Sequence, residues 1–147
     1  MNEIFFKTLE NANGLYQITK ATQGSAGFDL LAAIKSEIII NPGSTKLVPC
    51  GFSMQMPEGI EGQVRPRSGI ALKNSVTVLN SPGTIDSDYR GEIAVILINH
   101  GLSVFSIKRG MRIAQLVFIN LPKVKLVESD TLDETDRGSG GFGSTGV

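Results

Sequence analysis

The densest group of reactive side chains lies in Gly83 to Glu92, GTIDSDYRGE, where Asp86, Asp88, Tyr89 and Arg90 offer two carboxylates, a phenol and a guanidinium. The stretch is a polar turn between two apolar runs. Val76, Val78 and Leu79 precede the breakers Asn80-Ser81-Pro82-Gly83, and Ile93 to Asn99 follows with the length and branching of a strand buried on both faces. Polar groups on a loop held by strands are well placed for catalysis, because the scaffold fixes their geometry. An acidic turn kept in water is the plain alternative. Asp86, Asp88 and Gly91 also fall at the first, third and sixth places of a calcium-binding loop, but Arg90 and Leu97 occupy the fifth and twelfth. A cation there would meet a positive side chain and lose its bidentate ligand.

Four other places carry unusual polar chemistry. Asp29 stands between Phe28 and Leu30 at the start of an apolar run. A carboxylate there is costly unless a cation or donor meets it, although an outward position on an alternating strand accounts for it equally well. Arg65-Pro66-Arg67-Ser68-Gly69, with Lys73 close behind, puts charge, a hydroxyl and close backbone approach in one turn, which suits a polyphosphate or an ordinary basic loop. Gln115 interrupts the apolar strand Arg112 to Phe118, where a buried amide needs partners at both ends. The end of the chain, RGSGGFGSTGV, spaces Arg137, Phe142, Ser144 and Thr145 by glycines. Such a segment is either a flexible linker or a flap whose ring stacks on a base while amides, hydroxyls and arginine take phosphates. It satisfies G-x-G-x-x-G through Gly138, Gly140 and Gly143, yet no helix can follow before Val147, which excludes a dinucleotide fold.

The elements that must position these groups are mostly short strands. Seventeen glycines and six prolines in 147 residues punctuate repeated apolar runs. Strands are expected at Ile4 to Lys7, Tyr16 to Thr19, Ile38 to Ile40, Lys46 to Pro49, Phe52 to Met56, Gln63 to Arg65, Ile93 to Ile98, Val104 to Ile107, Ile113 to Phe118 and Val124 to Val127. Only Ile70 to Lys73 suggests a helical turn. The fold class is therefore all-β, a jelly-roll-like sandwich or barrel, with a body at 1–136 and a glycine-rich tail at 137–147.

Lysine plus arginine and aspartate plus glutamate both number 14, which argues against a polybasic nucleic-acid binder. The single cysteine, Cys50, allows no intramolecular disulfide and reads as a small half-buried residue. The single histidine, His100, sits in a turn and leaves a Ser-His-Asp triad without support. The run Ile4-Phe5-Phe6 is too short for a signal core and no long apolar span follows, so a cytoplasmic protein with no membrane segment is expected.

Taken in order, AGFDL, PRSGIALK, GTIDSDYRGEI, RIAQLVF and RGSGGFGSTG resemble the five successive motifs of the trimeric deoxyuridine triphosphatases (dUTP diphosphatases), over Ala26 to Gly146. Five ordered motifs are far more specific than any one of them. Phe28 departs from the tyrosine of many members but remains aromatic. The resemblance implies a homotrimer of jelly-roll subunits that cleaves dUTP to dUMP and pyrophosphate with Mg²⁺, limiting uracil in DNA and supplying dUMP for thymidylate synthesis. Each active site would take its third motif from one chain, its first, second and fourth from a neighbour, and its tail from the third chain.

By the same resemblance Asp86 is the general base, and Asp29 holds a water of the Mg²⁺ shell or otherwise supports the site. Arg67, Ser68, Gly69 and Gln115 hold phosphates, and Arg137, Gly143, Ser144 and Thr145 close over the outer ones. Tyr89 packs on the deoxyribose and leaves no room for a 2′-hydroxyl. Backbone near Asn80 reads uracil, and Phe142 stacks over it. A deoxycytidine triphosphate deaminase of the same fold is the nearest rival, but it explains the tail less directly. A non-catalytic trimeric β module is a third reading, opposed by the intact Asp86 and tail.

Overall fold

A computed structural model describes residues 3–15, 18 and 20–142. Eleven strands, one 3₁₀ turn and one short helix make up the described chain. They are β1 (Phe5–Thr8), the 3₁₀ turn Glu10–Ala12, β2 (Phe28–Leu31), β3 (Ile38–Ile40), β4 (Thr45–Pro49), β5 (Phe52–Gln55), β6 (Ile60–Arg65), α1 (Ser68–Asn74), β7 (Val76–Val78), β8 (Gly83–Ile85), β9 (Ala94–Asn99), β10 (Phe105–Ile107) and β11 (Arg112–Asn120). All pairings are antiparallel, in sheets of order β2-β11-β6-β8, β4-β9-β7, β1-β5 and β10-β3. Partners distant in sequence lie side by side, as in a jelly roll.

Alternation drives the burial. Along β6 and β9 buried residues alternate with half-buried ones, and the inward set of Leu30, Val48, Phe52, Val64, Leu97, Ile107 and Leu116 packs into one core. Truncating Phe52, 1 % exposed, to alanine would cost about 3–5 kcal/mol. Asn99 is the one buried polar residue among those described. Its amide donates to the Ile40 and Ser103 carbonyls at 2.9 and 2.8 Å and its oxygen accepts from Gly101 N–H at 2.8 Å, so the end of β9 is tied to β3 and to the loop before β10.

Several expectations shift. Ile93 to Asn99 is not buried on both faces: Ala94, Ile96 and Ile98 are half-buried, because only one side of β9 is covered within the chain. The polar turn lies, as expected, between two apolar runs, β7 and β9, which pair as a hairpin from Val76↔Asn99 to Val78↔Leu97. The connection between them nevertheless contains β8, which leaves that sheet to pair with β6. Short β2 joins the strand set, its polar Asp29 having masked the run. Val124 to Val127 is not a strand, since an extended segment needs a neighbour's N–H and C=O groups and residues 121–139 are exposed throughout. The expected strand at Tyr16 to Thr19 falls largely outside the described residues. Cys50 is fully buried rather than half-buried. Burial, with the Glu92 carboxylate adding to it, pushes its thiol far above the usual value and leaves it unreactive. No described helix is long and apolar enough to cross a membrane.

Candidate active site

The candidate residues before the tail fall into two clefts with no wall residue in common. The first, about 450 Å³, lies between the turn after β7, the hairpin and the uncovered face of β9, and contains Asn80, Asp86 and Tyr89. Its walls are mainly apolar, from Leu47, Val78, Ala94 and Ile96. Gly83, buried where β8 begins, fits because a Cβ would come within 3.2 Å of Val64 and 3.4 Å of the Asn80 amide nitrogen. The hairpin tip is a turn closed by Tyr89 N–H on the Asp86 carbonyl at 3.1 Å. Asp86 is exposed, and its other side opens on a wide groove carrying Glu58, Glu61 and Asp88. Among the described residues Arg90 is the only cation in either wall. Its guanidinium turns back onto the Ser87 and Tyr89 carbonyls at 2.7 and 3.0 Å.

The second cleft, about 300 Å³, brings together Asp29, Arg67, Ser68, Gly69 and Gln115. Adjacent strands explain how. Gln115 of β11 lies opposite Asp29 of β2 on one side and Arg65 of β6 on the other, so their side chains leave the same face of the sheet. Gln115 donates to the Pro66 carbonyl at 3.0 Å, pinning the turn that leads into α1. Gly27 makes room for it, since a Cβ there would lie 2.6 Å from the Gln115 side-chain oxygen. Arg67 Nε reaches Asp29 Oδ1 at 3.2 Å, and its Nη1 donates to the Arg112 carbonyl at 3.1 Å. Arg65, by contrast, folds back along β6 to Gln63 at 2.6 Å, and Lys73 does not line the cleft.

Arg112, which opens the RIAQLVF motif and is not among the expected site residues, also belongs to this cleft. Its Nη1 lies 3.3 Å from Asp29 Oδ2. Simple alternation would put Arg112 on the same face as buried Ala114. The β11–β2 register shifts between Arg112 and Ala114, so that Arg112 lies opposite Leu31 and Ala114 opposite Leu30. This bulge leaves Ile113 and Ala114 both buried and turns Arg112 onto the face of Asp29 and Gln115. Within the strand alone, the odd spacing from Arg112 to Gln115 points to opposite faces, and only the pairing with β2 brings them to one.

In the tail, Arg137 Nε donates to the Gly140 carbonyl at 2.9 Å and Gly140 N–H returns to the Arg137 carbonyl at 3.0 Å. Phe142 is fully exposed. Neither residue lines either cleft. Gly143, Ser144 and Thr145 lie outside the described residues.

The dUTPase family model matches residues 15–146. The chain belongs to the dUTPase family. Among curated dUTPase relatives, each named deoxyuridine 5′-triphosphate nucleotidohydrolase, that of Rickettsia canadensis is 58% identical over 127 residues, 86% of each chain. That of Caulobacter vibrioides is 54% identical over 146 residues, 98% of this chain and 94% of its own. The fold is also that of a Staphylococcus bacteriophage 80alpha dUTPase mutant solved with dUpNHpp, with a TM-score of 0.88 and 23% identity over the whole of both chains.

Proposed function

We propose that the protein hydrolyses dUTP to dUMP and pyrophosphate as a homotrimer whose active sites are each shared between subunits. Family membership supports the reaction. The observation that carries the shared site is the separation of charges. Among the described residues, Asp86 stands in a cleft whose wall holds no lysine or arginine, whereas Arg67 and Arg112 line a different one. Hydrolysis at the α-phosphorus needs the base, the attacking water and the phosphate-holding cations around one substrate. A neighbour's cationic cleft brought against this hairpin would supply what the single chain lacks.

In this reading uracil enters the apolar cleft, where backbone near Asn80 meets its acceptor-donor-acceptor edge. Cytosine presents the wrong pattern, and a tight pocket excludes the thymine methyl. Tyr89 packs on the deoxyribose, and Asp86 orients and deprotonates the water that attacks the α-phosphorus. Arg67, Ser68, Gly69 and Gln115 of a second chain hold the phosphates. The tail of a third, residues 137–147 beyond a body of 1–136, closes with Phe142 over the base and Arg137, Gly143, Ser144 and Thr145 on the outer phosphates.

The donor set fits a Mg²⁺ that arrives with the nucleotide rather than one resident in the chain. Among the described residues no three His, Cys, Asp or Glu side chains converge on a metal position. Asp29 is the only carboxylate among the described residues of the phosphate cleft, and both its oxygens face arginines. It would therefore touch the ion through water. When bound, the ion would offset charge on the triphosphate oxygens.

Pyrophosphate and ammonia release measured with dUTP, dCTP, dTTP and UTP tests the assignment. Pyrophosphate from dUTP, with little from the other nucleotides, is expected. Ammonia from dCTP would identify a deaminase instead, and no product from any of the four would leave a binding module.

A further inference from the structure

Glu92 ends the hairpin, lines the hairpin cleft and is half-buried. One of its carboxylate oxygens, Oε1, accepts from the Asn11 side-chain amide and from the Gly51 backbone N–H, both at 2.8 Å. These donors are themselves fixed. Gly51 has φ of 75° and is wedged between two alanines, so that a Cβ would collide with Ala12 and stand 2.6 Å from that of Ala33. Asn11 also donates to the Ala33 carbonyl at 3.2 Å, and its own carbonyl accepts from Arg109 at 2.6 Å. The other end of the residue faces the site: the Tyr89 hydroxyl donates to the Glu92 carbonyl oxygen at 3.1 Å. Gly91 between them must lack a side chain, because a Cβ there would collide with the Tyr89 ring and hydroxyl.

We infer that Glu92 is a positioning residue that sets the Tyr89 ring and, through it, the discrimination between deoxyribose and ribose. This rests on the proposed dUTP hydrolysis. The hairpin tip is exposed, so a ring there would adopt several rotamers unless its far end were held. The restraint runs from the rigid body at Gly51 and Asn11, through the Glu92 carboxylate, to the carbonyl that receives the phenol. Both body-side bonds use a single acceptor oxygen. A glutamine can supply that oxygen and an alanine cannot, so the required property is acceptor geometry rather than charge.

The test measures kcat/KM for dUTP and UTP, with thermal stability, on the full-length wild type and on Glu92→Ala, Glu92→Gln, Asn11→Ala and Tyr89→Phe. Glu92→Ala should lower the dUTP:UTP ratio about tenfold, the scale of a modest misplacement near the reacting groups. Glu92→Gln should restore most of the ratio. Asn11→Ala and Tyr89→Phe, which leave Glu92 in place, should lower it by smaller factors and keep the protein measurable if Glu92→Ala folds poorly. Variants that lose melting temperature but keep the wild-type ratio would make Glu92 a purely structural clamp and overturn the inference. A wild type with no preference for dUTP would instead overturn the function on which it rests, and this inference with it.

Discussion

The two clefts are built in opposite ways. The hairpin cleft is mainly apolar, its walls are strand faces and a tight turn, and most of its residues come from the stretch 76–96. The phosphate cleft is polar and draws on β2, the turn into α1 and β11, segments far apart in the chain. One has a shaped pocket and a carboxylate without cations. The other has cations without an apolar pocket. Each would supply half of what a nucleoside triphosphate needs, and the proposed shared site rests on their separation within one chain.

Disabling one cleft at a time tests the division of labour between them. Asp86→Asn should leave a folded nucleotide-binding protein with turnover reduced by ~10² or more, the scale of losing a general base. Near-wild-type turnover would remove Asp86 from the chemistry. Deleting residues 137–147 should also lower turnover severely while sparing the fold, since the last strand ends at Asn120. Loss of the trimer in sedimentation would make the tail structural.

Mixing these two inactive proteins distinguishes shared from self-contained sites. After joint unfolding and refolding in equal amounts, roughly a quarter of wild-type activity should return, given random assembly and independent sites. Hybrid trimers seen by mass spectrometry without any recovery would place base and tail in the same chain.

Smaller effects probe the walls of each half. Arg112→Ala should lower kcat/KM for dUTP about tenfold by removing a cation that flanks Asp29, as for a lost charge-assisted hydrogen bond. An unchanged value would mean that the bulge serves packing alone. Tyr89→Ala should narrow the kcat/KM preference for dUTP over UTP by opening space beside the sugar. A ratio that does not move would place sugar recognition elsewhere.

The same contrast governs what could be read without coordinates. Asp86 and Tyr89 were legible because breakers and apolar runs bracket them locally, and their cleft is made by that same stretch. Asp29 remained ambiguous, since the sequence does not say that Arg67 and Arg112 meet it across two strand connections. Arg112 is not legible as a site residue, because period-two alternation assigns it to the core and a register shift is a property of the paired strands rather than of either alone. In the sequence Glu92 is only the end of a polar turn. Its partners, Asn11 and Gly51, lie 81 and 41 residues away.

The turn that begins the tail has a thermodynamic consequence. Arg137 and Gly140 already close on each other, and Gly138 N–H bonds the Thr135 carbonyl at 2.9 Å. Ordering a residue of unfolded backbone costs about 1–2 kcal/mol in conformational entropy, and residues held in a turn have met part of that cost before any nucleotide arrives. In the proposed cycle the tail would then fold the rest of its length over the substrate and let go once pyrophosphate has formed. In that cycle glycines to the end of the motif would keep the closed state shallow and favour product release; stiffening them with alanine would trade tighter closure for slower departure.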